Sequence, residues 1–187
     1  MRFFHISDLH FGKLLYGYDL TEEHRNFIEQ LGDYCDKYNP DAVLIAGDVY
    51  DRSVPSADAM TLLDELLNKL SGRKVFIISG NHDNAKRLSF GKDFLKKHDI
   101  YISTVPQTGE NEKIEKVTYA DEYGNVNIYM LPFLKPALFK NSMPEEAAAG
   151  EDAIIKKLVE NTDIDKNERN IILAHQFFVS GHKEPEL

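Results

Sequence analysis

Tryptophan is absent from the 187-residue chain and cysteine occurs once, at Cys35. A single thiol excludes an intrachain disulfide framework and a zinc site built from several thiolates. That cysteine usage fits a reducing compartment, so a cytoplasmic setting is the expectation. Long apolar runs are missing too. No segment approaches the roughly 20 residues a membrane helix needs, and Met1–His10 lacks the basic-then-apolar pattern of a secretory signal. Positive charge is in deficit: 22 Lys and Arg against 31 Asp and Glu leave a net charge of −9. The deficit argues against a protein that coats nucleic acid by bulk electrostatics, which takes clustered cations. It leaves room for an enzyme whose positive charge is local, because bound metal ions are often the largest charges in a site.

What is present is ordinary for a folded protein: 42% hydrophobic residues, 11 Gly and 7 Pro. The length suits one domain, or one domain with an incomplete attachment. Short runs rich in Val, Ile, Leu and Phe at Arg2–Ser7, Ala42–Ala46, Lys74–Ser79 and Asn170–Ala174 predict buried strands. Helical periodicity predicts one helix from Thr21 to Lys37 or Tyr38, stopped by Asn39-Pro40, and another from Pro55-Ser56 to Gly72. A third helix is predicted over Leu88–Lys97, a short strand over Ile100–Ser103 and a helix around Asp152–Glu160. Lys113–Ala120 and Asn125–Leu131 flank Asp121-Glu122-Tyr123-Gly124 as a hairpin would, and Pro144–Gly150 reads as a loop or helix start. Strand–helix alternation predicts an α/β layered fold with an antiparallel addition.

The chemistry sits where the apolar runs stop. Asp8-Leu9-His10, Gly47-Asp48, Gly80-Asn81-His82-Asp83 and His175 follow the four predicted strands in turn. In α/β sheets ligands collect beyond the carboxyl ends of the strands, so these segments are expected to converge on one cleft. Asp8 and His10, two residues apart at a strand exit, can turn toward one ion. A hard oxygen beside an imidazole nitrogen suits Mn, Fe or Zn better than Ca or Mg. Asp48 has two oxygens with which to bridge two ions, Asn81 offers a neutral carbonyl oxygen and His175 a second imidazole. Two ions about 3.5–4 Å apart clamp the attacking and leaving oxygens of a phosphoryl transfer. His82, beside Asn81, is placed to protonate a leaving alkoxide. Each motif alone is weak evidence, since Asp-x-His recurs by chance and Gly-Asp is common turn chemistry. Their order, all at strand ends, carries the argument.

Asp8-x-His10, Gly47-Asp48-x-x-Asp51, Gly80-Asn81-His82-Asp83 and His175 together resemble the signature of the calcineurin-like metallophosphoesterases. The stretches His5–Lys13, Ala46–Arg52 with Pro55, Leu131-Pro132-Phe133 and Leu173–Phe177 are similar to the SbcD-type DNA-repair exonucleases within that superfamily. The resemblance implies a layered fold of β-sheets flanked by helices, with a metal site at the strand ends. It implies two divalent ions, Mn²⁺ being the expected one. Asp8, His10 and Asp48 would hold one, Asp48, Asn81 and His175 the other, and His82 would be the catalytic residue that is not a ligand. The implied activity is exonuclease action on double-stranded DNA ends and endonuclease action on hairpins or single strands, in repair and recombination. A homodimer working with an SbcC-type ATPase is implied as well. Lys13, Arg52 and Arg87 are candidate phosphate contacts or else solvated cations; His5 and His24 are expected to be structural or at the surface, His98 and His182 at the surface. One departure stands out: the family completes its metal spheres with a downstream Gly-His-x-His, whereas Gly181-His182-Lys183-Glu184 lies too close to His175 and carries Glu at the last position. Residues 1–187 are therefore expected to be the front part of a longer nuclease domain, short of its last ligands and its capping domain. Two other readings remain: a phosphomonoesterase or cyclic-nucleotide phosphodiesterase, and a catalytically incomplete scaffold.

Overall fold

Side chains alternate between two faces along a strand, and in this chain the alternation builds the layers. The computed structural model describes residues 1–106, 112–139 and 150–178. In chain order the elements are β1 (Phe3–Ile6), the short pair β2 (Leu14–Leu15) and β3 (Tyr18–Asp19), α1 (Thr21–Tyr38), β4 (Ala42–Ala46), α2 (Ala57–Lys69) and β5 (Lys74–Ile78). There follow α3 (Ala85–Leu88), α4 (Lys92–Leu95), β6 (Ile100–Ser103), β7 (Glu115–Asp121), β8 (Gly124–Leu131), α5 (Glu151–Asn161) and β9 (Arg169–Ala174).

β1, β4, β5 and β6 form a fully parallel sheet in the order β1-β4-β5-β6. Both faces are covered, as parallel sheets require. Val43, Ile45, Val75 and Ile77 point toward α1 and α2, where they meet Ile28, Leu31, Leu62 and Leu66. Ala42, Leu44, Phe76 and Ile78 point the other way, onto Ile128, Met130 and Leu173 of a second sheet. That sheet runs β7-β8-β9, with β7 antiparallel and β9 parallel to β8. Its outer face, Tyr129 and Leu131, packs against Ile154 and Leu158 of α5. The result is a helix–sheet–sheet–helix stack. Each fully buried Leu or Ile contributes about 1.5–3 kcal/mol, so three apolar interfaces hold the layers in register.

As the layered reading expects, there is more than one sheet: β9 lies in the second, reached by the α5 crossover, so the cleft forms between two sheets. One expectation needs correction. The helix expected over Leu88–Lys97 is broken into α3 and α4, because Gly91 adopts a left-handed φ of +74° between them. The hairpin is found as expected, Asp121 pairing with Gly124 across Glu122-Tyr123. Residues 144–149 and the Gly181–Glu184 motif lie outside the described residues. Among the described residues, no helix is long and apolar enough to cross a membrane.

Candidate metal centre

Past their formal ends, β1 and β4 continue side by side. The Asp8 N–H donates to the Gly47 carbonyl (3.1 Å), that of His10 to Asp48 (3.0 Å), that of Phe11 to Val49 (2.9 Å), and that of Asp51 back to Phe11 (3.1 Å). This zipper fixes the two loops against each other while their backbones twist. Asp8, His10 and Asp48 have φ of +57°, +47° and +49°. Left-handed backbone at a residue with a Cβ costs on the order of 1 kcal/mol or more, and it concentrates at functional sites. Three of the five expected ligands carry that strain.

Asp83 ties in the third loop. It is 2% exposed, and its carboxylate accepts the N–H groups of Gly80 (2.8 Å), Tyr50 (2.9 Å) and Val49 (3.2 Å). Burial nevertheless pushes its pKa above the usual carboxylate value, the three N–H donors pulling the other way. The fourth loop arrives against Gly47, where an added Cβ would lie 2.5 Å from His175 Nδ1; at Gly80 it would lie 2.1 Å from Asp48 Oδ1. Both glycines are there for close approach.

The side chains then converge. His175 Nδ1 donates to the Ala46 carbonyl (2.7 Å), so its Nε2 keeps a bare lone pair. That lone pair faces Asn81 Oδ1 at 3.1 Å and Asp48 Oδ2 at 3.6 Å. Three electron-pair donors around one point are a ligand set for a cation. His10 Nε2 approaches the same Asp48 oxygen, 3.7 Å from Oδ2 and 3.8 Å from Asp8 Oδ1, with Asp51 Oδ1 3.3 Å from its Nδ1. His82 is held at both ends: its N–H donates to Asp48 Oδ1 (2.9 Å) and its Nδ1 to the Asp51 carbonyl (2.8 Å). Its Nε2 is left facing the cleft, 3.9 Å from Asp48 Oδ2. Two groups have their donor atoms within 4.8 Å of one another, Asp8, Asp48 and His175 in one and His10, Asp48 and His82 in the other. Asp48, 3% exposed, belongs to both, as a bridging carboxylate would. These residues fit a pair of divalent ions by donor type and by lone-pair direction.

Asp8, His10, Asp48, Asn81, His82 and His175 all line one cavity of about 520 Å³. Lys13, Arg52 and Arg87 do not line it; the Arg52 side chain is 69% exposed and faces Asp51 at 3.8 Å. His5 does line it, although the sequence pattern marks it as structural or surface. His24 sets its ring edge-on to Phe11, and His98 lies against the Phe94 ring. Asp51 and Asp83, which orient the ligand loops, were legible as motif members but carried no role. Phe133, Gln176 and Phe177 complete the lining and had no chemical signal of their own.

A layered sandwich with this loop set at its strand ends defines a metallophosphoesterase architecture, and the comparison agrees: residues 1–186 match the calcineurin-like phosphoesterase family, to which the chain belongs. Among curated proteins it is similar to the SbcD subunit of the nuclease SbcCD from Staphylococcus epidermidis, 30% identical over 186 residues. The match covers 97% of this chain and 48% of that protein, so the chain spans about half the length of the relative.

Proposed function

We propose that this chain is the metal-binding nuclease portion of an SbcD-type protein, hydrolysing phosphodiesters in DNA ends and hairpins. The observation that carries the reading is the convergence on Asp48 Oδ2 of His175 Nε2 and His10 Nε2, with Asn81 Oδ1 beside the first and Asp8 Oδ1 beside the second. Two divalent ions, Mn²⁺ in this reading, supply an activated water and charge stabilisation at the phosphoryl oxygens when bound. Asp48 would be shared between them, with Asp8 and His10 on one flank and Asn81 and His175 on the other. His82 is the general acid in its imidazolium form: Nδ1–H is committed to the Asp51 carbonyl, so the second proton, on Nε2, is the one given to the leaving alkoxide. Residues 1–187 act as one nuclease domain, and further ligands are to be sought outside the described residues. Lys13, Arg52 and Arg87, off the cavity, are left the role of contacting the DNA backbone further along. An SbcC-type ATPase partner belongs to the same reading, in line with the relative's name; a homodimer and a cytoplasmic setting are proposed with it.

The test is incubation with a labelled hairpin duplex and, separately, an aryl phosphate, each with Mn²⁺ and with EDTA. Mn²⁺-dependent cutting of the DNA is the expected result. Turnover of the aryl phosphate alone would replace it with a small-molecule phosphoesterase.

A further inference from the structure

The cavity has a second wall that the metal chemistry does not use. Beside the candidate ligand His175 it is lined by Phe133, Gln176 and Phe177. Phe133 stands edge-on to the His175 ring, centroids 6.4 Å apart, while Phe177 is 96% exposed at the rim. An aromatic ring left in water at the mouth of a polar cavity gains nothing for folding. On the same wall the Gln176 side-chain amide nitrogen is buried and has no hydrogen-bond partner. An orphaned buried donor costs about 1–3 kcal/mol unless something accepts from it. The chain holds this wall through β9: His175, Gln176 and Phe177 are consecutive, so the residue that faces Asp48 fixes the two that follow.

We infer that Phe177 and Gln176, with Phe133 behind them, form a nucleobase subsite beside the scissile phosphate. Phe177 supplies a stacking face, Gln176 donates to a ring carbonyl or ring nitrogen of the base, and the roughly 520 Å³ cavity has the volume of a small-ligand site. The inference rests on the phosphodiesterase reading and refines it: the group recognised is a nucleotide and not a bare phosphate ester. Stacking tolerates any base, because every base has a π-face. Selectivity for nucleotides over other esters follows without selectivity among sequences.

The test compares two diesters with the same leaving group, thymidine 5′-(p-nitrophenyl phosphate) and methyl p-nitrophenyl phosphate, in Mn²⁺. Phe177→Ala is expected to raise KM for the thymidine ester about tenfold, with kcat little changed and the methyl ester unaffected. Phe177→Tyr restores the parental KM, and Gln176→Leu raises it in the same selective way. Mn²⁺ affinity by calorimetry stays at the parental value in all three. Equal effects on both esters, or none on either, overturn the subsite. Should the parental chain turn over neither ester, the phosphodiesterase reading fails, and binding alone decides the subsite. Thymidine 5′-monophosphate held more tightly than inorganic phosphate, with the difference lost in Phe177→Ala, supports it; equal affinity overturns it.

Discussion

Asp83 and Asp48 are neighbours in the fold with opposite duties. Asp83 accepts three backbone N–H groups and faces no cavity, so its task is to hold the Asp48 and Asn81 loops together. Asp83→Ala strands three buried donors at about 1–3 kcal/mol each. Chemical denaturation is expected to show a loss of about 3 kcal/mol or more, with Asp83→Asn, which keeps one carbonyl acceptor, less damaging. A loss near zero would mean that other groups hold these loops. Asp48 faces both candidate ion positions, so Asp48→Ala is expected to abolish Mn²⁺ binding at both. His82→Ala should keep the metal and lose rate by about 10²–10⁴-fold, the usual worth of a positioned acid. Calorimetry with Mn²⁺ beside single-turnover kinetics separates the two; a His82→Ala variant cleaving at the parental rate would reassign the acid.

Among the elements, those whose pattern is local could be read in advance and those decided by packing could not. β4 was legible at Ala42–Ala46 because five apolar residues between Pro40-Asp41 and Gly47 leave no other choice, and α1 because its start and stop signals sit 18 residues apart. The α3–α4 break was hidden, since the Leu88–Lys97 composition suits a helix and only the left-handed Gly91 interrupts it. Which sheet β9 joins was also hidden, because it carries the same short apolar signal as β1. The candidate ligands themselves were readable from residue type and spacing. The second wall was not, because Phe133 and Phe177 look like core aromatics until the fold leaves the first half-buried and the second exposed. The β7–β8–β9 sheet has its own electrostatic clasp: Arg169 pairs with the Asp121 carboxylate (3.0 Å from Nη1 to Oδ2) and donates to the Gly124 carbonyl (2.7 Å). The Arg169 guanidinium holds the Asp121 pKa well below the usual carboxylate range. A depressed folded-state pKa gives stability that is present above the unfolded value near 3.9 and lost as pH falls below it. Asp121→Asn is thus expected to be less stable than the parent at about pH 6, with the gap in urea titrations narrowing as pH falls through the unfolded value near 3.9 and vanishing only below the depressed folded one. A gap independent of pH would assign the effect to packing.

For the whole molecule, the question is what covers the apolar surface left outside the stack. Phe90 is 86% exposed and Phe94 65%, both on the broken segment between β5 and β6. Leu88, on the same segment, is buried in the core, so the segment is anchored and the two rings are presented outward. Lys86, Arg87, Lys92, Lys96 and Lys97 flank them along this segment, in a chain whose net charge is −9. Exposed aromatics with a cationic rim on an acidic protein suit a partner that supplies both apolar area and carboxylates. A second copy of this chain has both, and a homodimer is part of the proposed function. Replacing Phe94 with Asp would bury a charge in such an interface and is expected to give a monomer by sedimentation equilibrium while the parent sediments as a dimer. Because Phe94 is exposed in the single chain, its melting temperature measured at dilution should change little, which separates lost association from lost folding. A parent that stays monomeric at high concentration would rule out the dimer, leaving this surface to the ATPase or to DNA. Those two are told apart by salt, since a cationic face on phosphates loses affinity steeply as salt rises and an apolar protein interface does not.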